Sequence, residues 1–112
     1  MQIFDVRAIQ RMIGDDPAAL REFIAIVLRD LPGQIDRLEA ALQAGDPIAA
    51  SREAHAVKGT AVLVGGEVLA EISRHLEQAG LEGDLQRLRA DFPRLRSAAE
   101  ELARELERAR TT

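Results

Sequence analysis

The chain has 112 residues, 46% of them hydrophobic and 30% charged, a composition that supports a buried core and argues against intrinsic disorder. It contains no Cys, which excludes disulfides, thiolate metal sites and a cysteine nucleophile. A net charge of −4, with Phe4, Phe23 and Phe92 as the only aromatic residues, excludes a globally basic surface for a polyanion and a platform for stacking bases.

The apolar residues recur at spacings of three and four, the period of amphipathic helices, and never alternate as strands do. A short leading helix uses Asp5 as its cap and is expected to bury Val6, Ile9 and Ile13. Asp16-Pro17 opens the next segment, because Asp accepts a bond from a free helical N–H and Pro has no donor to waste at the first position. Its stripe runs through Leu20, Phe23, Ile24, Val27, Leu31, Ile35, Leu38 and Leu42 to Gly45. Pro32 interrupts that stripe, predicting two helices or one kinked helix. Asp46-Pro47 repeats the opening signal for a helix reaching Val64 and ending at Gly65-Gly66. A further helix carries Val68, Leu69, Ile72, Leu76 and Ala79 and is expected to stop at Gly80. The last opens near Asp84, with Leu85, Leu88, Phe92, Leu95, Ala99, Leu102 and Leu106 as a heptad-like seam that Pro93 should bend. Its charged end, Arg108 to Thr112, is expected to fray.

Short Gly/Asp connections between long amphipathic helices make sequential helices antiparallel neighbours. The expected fold is all-α, an antiparallel up-and-down four-helix bundle with an accessory N-terminal helix. Residues 1–112 are expected to form one domain with its core at about 4–108. The longest strictly apolar run, Phe23 to Leu28, falls well short of the ~20 residues of a membrane span, and the N-terminus lacks the pattern of a signal peptide. A cytoplasmic protein without membrane insertion is expected.

Most catalytic templates fail on this chain. It has no phosphate-binding glycine loop, dinucleotide fingerprint, nucleophile elbow or zincin helix, and Ser51, Ser73 and Ser97 lack an evident base. Glu100-Glu101 reads as a solvated face, since adjacent helix positions diverge. His75, with Glu71 four residues before it, reads as a half-exposed helical histidine with an ionic neighbour.

His55 differs. On a helical wheel its helix buries Ala50, Ala54, Val57, Ala61 and Val64, and His55 lies about 140° away on the outward half. Its neighbours one turn away are Ser51, Arg52, Lys58 and Gly59, which suit an anion and oppose a metal site. Gly59 is unfavourable mid-helix by about 0.8–1 kcal/mol relative to Ala, which suggests clearance for another molecule. Ile48, Val62 and Leu63 add an outward apolar patch fit for docking. Residues alone leave three readings open: a nucleophilic imidazole, a solvated histidine beside a glycine that packs helices together, and a phosphate-independent helical adaptor docking through the face around Val62.

The string Ala54-His55-Ala56-Val57-Lys58-Gly59-Thr60-Ala61, followed by Gly65-Gly66, resembles the phosphoacceptor motif of histidine-containing phosphotransfer (HPt) domains, a His-x-x-Lys-Gly-Ser/Thr-Ala string with a glycine near the helix end. The resemblance extends over about Phe4 to Leu106 and takes in Asp16-Pro17, Pro32, Gly45-Asp46 and Leu76-Glu77 before Gly80. It implies a phosphorelay intermediate in two-component signal transduction. His55 would take a phosphoryl group from the phospho-aspartate of one response-regulator receiver domain and pass it to another. Lys58 would steady the phosphoryl oxygens, and Gly59 would leave room for the partner. Ile48, Ser51, Arg52, Val62, Leu63 and Glu77 would form the docking surface. The resemblance implies a carrier rather than an enzyme, its Mg²⁺ site supplied by the receiver; a monomer with no cofactor or metal of its own is expected. A hybrid sensor histidine kinase is a further candidate partner. Two positions depart from the family pattern: many members carry Asn where Leu63 stands, and some a basic residue at Leu81.

Overall fold

A computed structural model describes residues 1–111. Its helices are α1 (Val6–Ile13), α2 (Pro17–Gln43), α3 (Pro47–Leu63), α4 (Glu67–Leu81) and α5 (Leu85–Thr111). The expected caps form: carboxylates of Asp5, Asp16 and Asp46 accept from the backbone N–H groups of Arg7, Ala18 and Ala49 at 3.0–3.1 Å. Asp84 does the same for Arg87 N–H.

Helices α2 to α5 make the bundle, with α3 against α4 as its most extensive pairing. A helix of 27 residues spans about 40 Å, which accounts for the 43 × 21 × 19 Å outline. The core is the predicted stripe on each helix, including Ile24, Leu38, Val57, Leu69, Leu76, Leu88, Leu95, Leu102 and Leu106. Among the described residues no helix is long and apolar enough to cross a membrane.

Several expectations need correction. Of the two outcomes expected at Pro32, division does not occur: α2 is one continuous helix, and Pro32, like Pro93 within α5, sits on an exposed position. In α1 only Ile9 is fully buried, while Val6 and Ile13 are half-buried. Residues 108–111 continue α5 instead of fraying, with Arg110 paired to Glu107 at 2.5 Å; Thr112 lies outside the described residues. Gly80 does not end α4. It is buried inside the helix, and the chain turns at Gly83, whose φ of +72° favours glycine.

Gly80 instead sets the spacing between α3 and α4. A Cβ there would stand 2.6 Å from the Pro47 carbonyl oxygen and 2.7 Å from the Ser51 Cβ. At the other end of this pair the N-terminal segment closes over the α3–α4 turn. Asp5 N–H donates to the Val64 carbonyl at 3.0 Å, and Val68 N–H to the Gln2 carbonyl at 3.1 Å. The helix gain of Gly80→Ala, about 1 kcal/mol, should be outweighed by overpacking, which typically costs 1–3 kcal/mol. Urea unfolding should therefore find Gly80→Ala less stable than wild type; a more stable variant would show that α3 and α4 separate freely.

Candidate functional site

The middle turns of α3 face two ways. Ala50, Ala54, Val57 and Ala61 are fully buried, and His55 stands opposite with 66% of its side chain exposed. The predicted outward face is present: Ile48, Arg52, Gly59, Val62 and Leu63 are all exposed alongside His55. Leu81, on α4, is an exposed apolar residue as well.

Two predicted docking residues are placed differently. Ser51 is only 5% exposed, because it lies at the close approach to Gly80, and its hydroxyl donates to the Glu77 carbonyl at 3.0 Å. It is thus a contact between α3 and α4 and not part of an exposed surface. Glu77 reaches across from α4 to His55 and Lys58. One carboxylate oxygen lies 2.9 Å from His55 Nδ1, and the other accepts from Lys58 Nζ at 2.7 Å. Lys58 consequently leans toward α4 and is half-buried. His75 pairs with Glu71 at 3.3 Å as expected.

This arrangement fixes the chemistry of the imidazole. The Lys58 ammonium beside Glu77 holds its carboxyl below the usual carboxylate range, and the His55 bond acts in the same sense while partial burial opposes both. An ionised carboxylate only accepts, so Nδ1 must donate to it. The ring proton of the neutral tautomer then resides on Nδ1, and the lone pair lies on Nε2. Nε2 has no hydrogen-bond partner among the described residues, and the ring faces solvent. In that tautomer the ring is oriented by Glu77 and presents Nε2 to solvent.

Gly59 lies two residues beyond Val57 on the open side of α3, and a Cβ added to it would meet nothing within 4 Å. That removes the reading in which Gly59 packs helices together. Sequence periodicity did not reveal Glu77 as the residue holding His55, because it comes from another helix; the signal available was its place one turn before a glycine that lets α4 approach α3. No group of three His, Cys, Asp or Glu side chains suited to a metal ion occurs among the described residues.

Comparison with known proteins follows the same line. The family model of the Hpt domain matches residues 22–112. The crystal structure of histidine-containing phosphotransfer protein B (HptB) from Pseudomonas aeruginosa PAO1 is similar with a TM-score of 0.89 at 25% sequence identity, covering 97% of this chain and 95% of that one. Among curated proteins nothing matches.

Two outcomes are expected from this geometry. Gly59→Ala should be more stable than wild type by up to about 1 kcal/mol in urea unfolding, since the helix gains and nothing is displaced. A loss of stability would mean that the space beside Gly59 is filled. The second concerns pH. Because the folded-state pKa of Glu77 is lowered, its contribution is complete at neutral pH, declines below the unfolded-chain Glu value of about 4.3, and is lost as pH falls through the depressed value. The stability difference between wild type and Glu77→Gln should accordingly shrink on acidification. A difference constant from pH 7 to pH 3 would contradict the Lys58–Glu77–His55 arrangement.

Proposed function

Since the chain belongs to the Hpt domain family and its role is histidine phosphotransfer, we propose that His55 is the phosphoacceptor, with Nε2 as the attacking atom. The observation that carries this reading is the Glu77 bond to Nδ1, which leaves the exposed Nε2 with the lone pair. Nε2 attacks the phosphorus of a receiver's phospho-aspartate, the bond from phosphorus to the aspartyl oxygen breaks, and the carboxylate leaves with its electron pair. The product is a phosphohistidine still protonated on Nδ1, its positive charge facing Glu77. Transfer to a second receiver reverses these steps, and no proton has to move in either direction. Phosphoryl transfer depends chiefly on positioning and charge stabilisation, so a carrier needs little more than this.

The Mg²⁺ ion and remaining catalytic groups belong to the receiver in this proposal; the acidic residue at His55 is already engaged with Lys58. Lys58 orders Glu77 in the unloaded protein and steadies the phosphoryl oxygens once the group arrives. Gly59 leaves the partner room, and Ile48, Arg52, Val62 and Leu63 form the docking face, supported by their exposure around the imidazole. Residues 1–112 act as one domain, monomeric and cytoplasmic, with a hybrid sensor histidine kinase as a further partner.

The experiment is incubation with a phosphorylated receiver domain followed by mapping of acid-labile phosphate. Wild type should carry it on His55, and His55→Gln should carry none. Equal label on the two proteins would refute the assignment. Partner binding that survives His55→Ala but fails in Val62→Asp, without any phosphate transfer, would instead identify a phosphate-independent adaptor.

A further inference from the structure

The charges nearest His55 are nearly all spoken for. Lys58 is closed onto Glu77 at 2.7 Å, and on the side toward α2 Glu53 is closed onto Arg37 at 3.3 Å. Arg52 is the exception. It is exposed, lies three residues before His55 on the same outward face, and has no ion pair or hydrogen-bond partner among the described residues. Residues at this spacing are helical neighbours, with Cβ atoms about 5–6 Å apart, so a guanidinium at position 52 can cover the space in front of the imidazole. Gly59 keeps that face open, since nothing stands where its side chain would be.

We propose that Arg52 is the residue that captures the incoming phosphoryl group, while Lys58 and Glu77 set the orientation of the imidazole. This rests on His55 as phosphoacceptor and divides the work between the two cations. Lys58 already gives one of its three N–H donors to Glu77 and is half-buried against α4, so it is less free to meet an incoming group. Arg52 has nothing to break. Its planar fork matches two phosphoryl oxygens at once, which suits a tetrahedral oxyanion better than a point charge does. Capture by Arg52 therefore leaves the Nδ1–Glu77 bond intact at the moment of attack.

A small donor tests this without a choice of protein partner. Phosphoramidate, whose nitrogen is protonated in its zwitterionic form, delivers its phosphoryl group as Nε2 attacks phosphorus; the phosphorus–nitrogen bond breaks and neutral ammonia leaves with the electron pair. Saturation curves for phosphohistidine formation should be measured for wild type, Arg52→Gln, Arg52→Lys and Lys58→Gln, each over a range of salt. Arg52→Gln should raise the half-saturating concentration about tenfold, as expected for a lost charge-assisted contact, with its maximal rate within twofold of wild type. Arg52→Lys should recover part of that loss, and the salt dependence of the half-saturating concentration should flatten in Arg52→Gln. Lys58→Gln should lower the maximal rate more than it changes half-saturation. An unchanged curve for Arg52→Gln, or one that changes only in maximal rate, overturns the assignment of Arg52 while leaving His55 as acceptor. Wild type that forms no phosphohistidine overturns both.

Discussion

The close approach of α4 to α3 at Gly80 is the constraint on which the site depends. A helix that carried any side chain at this point would meet the Pro47 carbonyl and the Ser51 side chain, so the two backbones could not come so near. Because they do, the Ser51 hydroxyl reaches the Glu77 carbonyl and the Glu77 carboxylate reaches His55 and Lys58. One residue of α4 is thus held through its backbone and used through its side chain. The tautomer of the imidazole follows from helix packing, since a carboxylate at Nδ1 dictates which nitrogen keeps its lone pair.

Much of this could be read from the residues in order. The Asp-Pro openings, the stripe Ala50, Ala54, Val57, Ala61 and Val64, and the outward position of His55 all follow from one helix considered alone. Such periodicity fixes which face of a helix is buried. It carries no information on how far one helix slides along its neighbour, and that axial register is what brings Glu77 opposite His55. Ser51 departs from its expected place for the same reason: on the wheel it borders the outward face, and only the partner helix buries it. Gly80 reads as a stop signal in the sequence because glycine has two uses in helices, ending them and letting them touch, and local sequence does not separate the two. The heptad seam of α5 raised no such difficulty, since Leu88, Leu95, Leu102 and Leu106 need only a core to face.

The net charge of the chain gives little idea of its chemistry. Around His55 the opposite charges occur as closed pairs, Lys58 with Glu77 and Arg37 with Glu53. What a passing anion encounters is set by the charge left over, which is a local matter. A protein that is acidic overall can in this way present a positive spot no larger than one side chain, well within the Debye length of about 8–10 Å over which such a charge is felt.

Gly59 has one more consequence, for observation. In α3 its backbone N–H points along the helix toward the carbonyl of His55, four residues earlier, as helical geometry requires. Glycine amides occupy their own region of a nitrogen–proton correlation spectrum, so this signal stands apart from the alanine-rich remainder of the helix. The vacancy beside the imidazole therefore doubles as a native spectroscopic label, attached through a single hydrogen bond to the turn that carries His55.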